Sequence, residues 1–359
     1  MPSNTNSSTQ TRVPIIDDYR FAFLVHPRGF TDIYTTFPFT HFLPKWIIRK
    51  CFLLIGPLVI GKVFGLKTKE GKMIKGEIIV VPMTARDMMA DKKRAAREVE
   101  RSLRFAAKRG AKMVGLGSLT SPVVGGGVDV IGKFDTKITN GNALTAFMAY
   151  EGVRIACEKK GIDMTKAQFA IVGATGSTGS AVLKLLIRDG LVKNEILVGR
   201  TPEHLENAAK ELRASFPNIN VRETTDIHEI INADVVVVAT SAEGAIIKAA
   251  DLKKNAIVYD VTQPQNVPQS IIGERPDVVV VDGAISKLPE GVGYTVNMGL
   301  ARGESFSCLA ETMILAQEKY NEDFSVGRVT LQNIDIISRL AEKYGFKRAP
   351  LRSWGKIII

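Results

Sequence analysis

From Gln168 to about Asp282 the chain alternates short apolar runs with amphipathic stretches. Phe169–Val172, Glu195–Val198, Asp234–Val238, Ala256–Tyr259 and Asp277–Val281 are rich in β-branched residues, the pattern of strands covered on both faces in a parallel sheet. Ser180–Arg188 and Glu203–Phe216 supply helical crossovers, so the spacing predicts a Rossmann-like, doubly wound parallel sheet in an α/β fold. Upstream, Ala95, Ala96, Val99, Leu103 and Ala106 recur at helical spacing with no Gly or Pro between them, which predicts one helix over Asp87–Arg109. At about 100° per residue, Lys93, Arg97, Arg101, Arg104 and Lys108 fall on its opposite face. Asn142–Lys159 reads as a helix ended by Gly161 that links two domains. Ser305–Tyr320 and Val329–Tyr344 read as helices that pack back on the amino-terminal half and close a cleft.

Between these elements, Gly115–Ser121 and Gly125-Gly-Gly127 are small-residue loops where a ligand or another backbone can come close. Ser118 and Thr120 in the first, with Asn142 at the next helix start, are candidate substrate contacts. The run Trp46–Gly65 is the most membrane-like, but Arg49, Lys50 and Lys62 interrupt it. Its clean core, Cys51–Ile60, holds Gly56 and Pro57 and is half of the roughly 20 residues that a span needs. A buried segment, or one lying at a lipid surface, is expected instead. The polar residues 1–12 read as a disordered tail with neither secretory signal nor anchor.

Composition narrows the picture. With 359 residues, 45% of them hydrophobic, the chain can bury the cores of about two domains, which excludes full-length disorder and a collagen-like repeat. Three cysteines, Cys51, Cys157 and Cys308, are too sparse for a disulfide scaffold and fit a reducing compartment, so a cytoplasmic protein with at most peripheral membrane contact is expected. The net charge of +11 is local: Lys45–Lys112 holds 18 basic and 6 acidic residues. That charge suits either a solvated helix face or a dock for an acidic partner. Nucleic acid is disfavoured, because Phe105 is the one aromatic interleaved with the basic face. His26, His41, His204 and His228 have no metal-ligand spacing, so no metal is expected.

Two constellations carry chemistry. Gly173-Ala-Thr-Gly176-Ser-Thr-Gly179 follows a predicted strand and opens a predicted helix, placing unpaired N–H groups and the positive helix end where a pyrophosphate can sit. Gly173, Thr175, Gly176, Ser177, Thr178 and Gly179 are therefore candidate cofactor contacts. The next strand ends in Arg200-Thr201, where an NADH enzyme usually carries an acidic residue on the ribose; a guanidinium there favours NADPH. Ala239-Thr240 occupies the carboxyl end of a neighbouring strand beside the cofactor. The second constellation is Cys308, in the first turn of a helix after the loop Asn297–Gly303. The helix start, with Arg302 nearby, is expected to stabilise a thiolate, although buried helical cysteines are also common. Cys51 and Cys157 stand in apolar surroundings and read as inert core residues.

Gly173-Ala-Thr-Gly176 with Gly179-Ser-Ala-Val, Thr139-Asn-Gly-Asn142 with Thr145-Ala146, Phe306-Ser-Cys308-Leu-Ala-Glu311 and Phe324-Ser-Val-Gly327-Arg328 together resemble the long-chain acyl-[acyl-carrier-protein] reductases that form fatty aldehydes in cyanobacteria. The likeness runs from about Phe21 to Phe346. It implies NADPH-dependent reduction of a fatty acyl thioester, delivered by acyl carrier protein or coenzyme A, through an acyl group on Cys308. It also implies that the basic face, Lys93, Arg97, Arg101 and Arg104, docks the acidic carrier. The implied layout is a substrate and carrier domain over 13–140, a linker helix over 141–165, an NADP-binding domain over 166–302 and helices bearing the cysteine over 303–359. Two positions depart from the family: Asn140 stands where it has Thr, and Leu144 aligns with a histidine. The rival readings are a dehydrogenase of the shikimate or methylene-tetrahydrofolate type without a covalent intermediate, and a non-enzymatic NADP sensor that docks on membranes or acidic partners.

Overall fold

The computed structural model describes residues 16–358 apart from Glu243 and Pro264; the expected tail, 1–12, lies outside the described residues. In chain order the first half comprises β1 (Ile16–Val25), α1 (Phe30–Thr36), α2 (Lys45–Ile55), β2 (Leu58–Phe64), β3 (Met73–Val80), α3 (Ala85–Ala90), α4 (Lys92–Lys108), β4 (Ala111–Leu116), β5 (Lys137–Thr139) and α5 (Asn142–Lys160). The second half continues with β6 (Gln168–Val172), α6 (Ser177–Arg188), β7 (Asn194–Val198), α7 (Pro202–Ser215), β8 (Asn220–Thr224), β9 (Val235–Val238), β10 (Ile257–Asp260), α8 (Ile271–Glu274) and β11 (Val279–Asp282). The chain then runs through β12 (Ile285–Lys287), β13 (Gly293–Tyr294), β14 (Glu304–Phe306), α9 (Ser307–Glu318) and α10 (Leu331–Tyr344).

Two six-stranded sheets organise the molecule. The second has the order β11-β10-β9-β6-β7-β8 and is parallel throughout. Its strand order reverses between β6 and β9, which opens a crevice at their carboxyl ends. The apolar runs give these strands because both faces are covered: β9 and β10 are buried along their whole length. The first sheet has the order β13-β2-β3-β1-β4-β5, with β3, β1, β4 and β5 parallel and β2 antiparallel at one side.

The helices α5 and α9 are buried around most of their circumference, as expected of helices packed between layers. One continuous core runs from Phe21 and Phe23 of the first sheet through Ala146 and Met313 of these helices to Phe169 and Leu197 of the second. On the other face of the first sheet, Ala95, Val99 and Leu103 of α4 pack against Ala22, Leu24 and Val114.

Several sequence expectations need correction. The single helix over Asp87–Arg109 is two, because Asp91 leaves helical geometry and its carboxylate caps α4, accepting from the Arg94 N–H at 2.9 Å. Gly293–Tyr294, expected within the NADP-binding domain, instead pairs with β2 at the edge of the first sheet. The residues before Cys308 form strand β14 rather than helix, paired with β12. The run Trp46–Gly65 is α2 and β2 separated by a turn at Gly56 and Pro57. Cys157 is buried, but Cys51 is exposed on α2 rather than a core residue.

Candidate active site

The carboxyl ends of β1, β4, β6 and β9 converge with the start of α9 on one cleft of about 960 Å³, at the upper end of the size usual for small-molecule sites. Cys308, half-buried, lines it together with Gly176, Ser177 and Thr178 of the glycine loop and Ala239, Thr240 and Ser241 after β9. The two constellations read from the sequence are therefore brought together.

The glycine loop is built by close packing. Gly173 has φ +89° and carries its backbone past the Ala239 carbonyl, where a Cβ has no room. A Cβ on Gly179 would stand 2.6 Å from the Gly173 carbonyl oxygen. Gly176 caps α6, so the N–H groups of Ser177, Thr178 and Gly179 precede the first intrahelical bond. This arrangement fits a pyrophosphate. The Ser177 hydroxyl already accepts from the Val329 N–H at 3.1 Å, which ties the carboxy-terminal segment to the loop. Thr175 is half-exposed and does not line the cleft shared with Cys308. Arg200 and Thr201 lie exposed at the end of β7, also outside that cleft. The loop after β10 is held by Asp260, which accepts from the N–H groups of Thr262 (2.9 Å), Asn266 (2.9 Å) and Val267 (3.0 Å). Thr262 and Gln263 thereby face the cleft.

Cys308 is the second residue of α9. The backbone N–H groups of Leu309, Cys308 and Ser118 favour its thiolate, but burial outweighs them and, with the nearby Glu311 carboxyl, pushes the thiol up to about 12. The expectation of a resting thiolate is thus corrected. Arg302 is exposed and does not line the cleft. The backbone of Gly141, at φ +76°, lies directly on the cysteine: a Cβ there would overlap the Cys308 Cβ. Glu311, one turn along α9 and fully buried, fixes this contact. Its carboxyl accepts from the Leu144 N–H at 2.7 Å and the Thr139 hydroxyl at 2.5 Å, and burial raises it to about 7. Leu144 itself points into the core.

Of the candidate substrate contacts, Asn142 lines the cleft. Ser118, at φ +50°, offers its backbone rather than its hydroxyl, which donates to the Gln263 carbonyl at 2.9 Å. Thr120 is corrected: it is fully buried, its hydroxyl donates to the Gly117 carbonyl at 2.8 Å, and Ser121 takes its place in the cleft wall. The triple-glycine loop meets another backbone, since the Gly327 N–H donates to the Gly126 carbonyl at 3.0 Å. Next to it stands Arg328, a cleft residue that sequence reasoning noted only within its motif. His26 also lines the cleft, yet it is internally satisfied. Its Nε2 accepts from the Leu119 N–H at 3.3 Å, Nδ1 donates to the Pro27 carbonyl at 3.1 Å, and burial lowers its pKa. Among the described residues no cluster of three or more His, Cys, Asp or Glu side chains could hold a metal ion.

On the surface of α4, Lys93 and Arg97 are exposed. Arg101 donates to the Leu53 carbonyl at 3.0 Å and so binds α4 to α2. Arg104 stacks over the Phe134 ring, 5.9 Å from its centre.

This sheet order, with a glycine-rich turn at its switch point, defines a Rossmann-like dinucleotide-binding domain. Residues 154–282 match the family model of shikimate/quinate 5-dehydrogenase. Over a longer stretch the chain is similar to two characterised proteins. It is 30% identical to aminotransferase PigE of Serratia sp., the match covering 82% of this chain and 34% of that one, so the chain spans about a third of that relative. It is 29% identical to the long-chain acyl-[acyl-carrier-protein] reductase of Synechococcus elongatus, over 77% of this chain and 83% of that one. Among solved structures, the NAD-dependent malic enzyme of Thermotoga maritima aligns with 95% of this chain and 80% of its own, at 13% identity and a TM-score of 0.46.

Proposed function

We propose that the protein reduces a long-chain fatty acyl thioester, carried on acyl carrier protein or coenzyme A, to the aldehyde with NADPH, through an acyl group held on Cys308. The observation that carries this reading is that one cleft is lined both by a thiol at a helix start and by the dinucleotide loop. The name of the Synechococcus relative supports it. The match to shikimate/quinate dehydrogenase favours a second reading, direct oxidation of a hydroxy acid without a covalent intermediate. That match ends before Cys308 and supports the cofactor half alone.

In the first step the Cys308 Sγ bonds to the acyl carbonyl carbon as the bond from that carbon to the carrier sulfur breaks. The Sγ proton leaves with the departing thiol. The thiolate is the nucleophile, so Cys308 must ionise before the attack, against the burial that holds it protonated in the free protein. When bound, the nicotinamide supplies a hydride to the acyl carbon. The N–H groups of Leu309, Cys308 and Ser118, which favour the thiolate, would serve as donors for the developing oxyanion. One proton from solvent completes the balance as the carbon–sulfur bond breaks, releasing the aldehyde and restoring the thiol. Arg200 and Thr201, with no acidic residue between β7 and α7 before Glu203, support NADPH over NADH.

The test is intact-mass measurement after incubation with a long-chain acyl thioester in the absence of NADPH. A single acyl adduct that disappears in Cys308→Ala is expected. No adduct, or one that survives the substitution, overturns the covalent mechanism.

A further inference from the structure

The segment that walls the far side of the cleft has an unusual outer surface. Between Ile33 and Lys69 the sequence contains six Lys or Arg residues and no Asp or Glu. The short turn over Pro38–Phe42 and helix α2 bury Thr40, Ile48 and Phe52, but leave Phe42 91%, Leu54 83% and Trp46 60% exposed to solvent. Trp46, Lys50 and Leu54 follow each other at four-residue spacing along one side of α2. Lys50 sits over the Trp46 ring at 5.3 Å and Lys45 over the Phe30 ring at 5.5 Å. Among the described residues neither lysine has an acidic partner within ion-pair distance.

We infer that this face docks flat on the surface of an anionic phospholipid bilayer. Large exposed apolar side chains on a monomer mark a contact surface. Aromatic rings flanked by lysines without any acid match the interfacial zone, where rings sit at headgroup depth and ammonium groups meet lipid phosphates. Among the described residues no helix is long and apolar enough to cross a membrane, so the contact lies in the surface plane. The inner side of the same segment, through Phe37 and Phe52, lines the cleft that holds Cys308. A lipid-soluble product would then leave toward the bilayer rather than through water. That consequence rests on the acyl reading above; the docking itself does not.

The experiment is sedimentation of the full chain with vesicles of phosphatidylcholine alone and of a three-to-one mixture with phosphatidylglycerol. Tryptophan emission is followed in a Trp354→Phe background so that Trp46 is the reporter. Binding to the mixed vesicles, weakened by salt and accompanied by a blue shift, is expected. It should fall at least tenfold in Phe42→Ser/Leu54→Ser, and Lys45→Glu/Lys50→Glu should remove the preference for anionic lipid. Because these side chains are exposed, both variants should keep the wild-type melting temperature. Failure to sediment with either vesicle overturns the inference. So does a concentration-dependent dimer that the serine variant dissociates, which would assign the face to a second copy of the chain. Neither readout involves turnover, so failure here leaves the adduct measurement standing, and the reverse.

Discussion

Cys308 shows how one side chain's chemistry depends on residues far from it in the chain. A cysteine at a helix start is legible from sequence, and so is the favourable effect of its N–H groups. What sequence could not show is that the Gly141 backbone packs directly on it, so that burial outweighs those N–H groups. The consequence is measurable as the pH dependence of alkylation, followed by peptide mapping to separate it from exposed Cys51. With the thiol pushed up to about 12, the rate at Cys308 should rise about tenfold per pH unit from pH 7 to 10. A plateau below pH 8 would show a resting thiolate and contradict the burial argument. Glu311 was visible only as a letter in a motif. Its part in clamping the Thr139–Asn142 loop requires the two segments to be packed together.

At the scale of elements, periodicity located five of the six strands of the second sheet to within a residue or two, because strands covered on both faces must be apolar throughout; the edge strand β8, largely uncovered, has no such run and was missed. One of the five contains an anomaly. Glu195 on β7 is fully buried and neither carboxyl oxygen has a partner, so burial holds its pKa well above the ordinary 4.5. The fold therefore binds this proton more tightly than the unfolded chain does. Its contribution to stability is complete in acid and is lost as pH rises above 4.5 through the folded value. Glu195→Leu should raise stability by about 1–3 kcal/mol at neutral pH and flatten this decline. Urea denaturation at a series of pH values checks both; an unchanged slope would mean that the carboxyl is solvated. The break between α3 and α4 was less legible. Hydrophobic spacing runs straight through Asp91, and only the cap geometry shows that its carboxylate ends one helix and starts another.

For the whole molecule, the excess charge belongs to the first half, and the structure divides it among distinct uses. Arg101 is spent on holding α2, and Arg109 pairs with Glu77 at 2.6 Å. Of the face proposed to meet an acidic carrier, Lys93, Arg97, Arg101 and Arg104, it is Lys93 and Arg97 that stand exposed at the end of α4 nearest its Asp91 cap. Reversing both to Glu should raise the apparent KM for carrier-bound substrate several-fold, with kcat and NADPH affinity unchanged; steady-state kinetics with carrier-bound and coenzyme A-bound substrates measures this. An unaltered KM would return α4 to ordinary solvation.

The sequence by itself determined the parallel nucleotide-binding sheet and the glycine turn at its switch point, and it placed Cys308 at a helix start. Each follows from local rules: the two-residue or 3.6-residue period, the steric demand of a tight turn, and the dipole of a helix start. Only the tertiary structure decided that Gly293–Tyr294 completes the first sheet, that Thr120 is spent internally and that an apolar face of α2 is left in water. These outcomes depend on which surfaces remain once distant segments have packed. Burial is a property of the whole fold, and no window of sequence contains it.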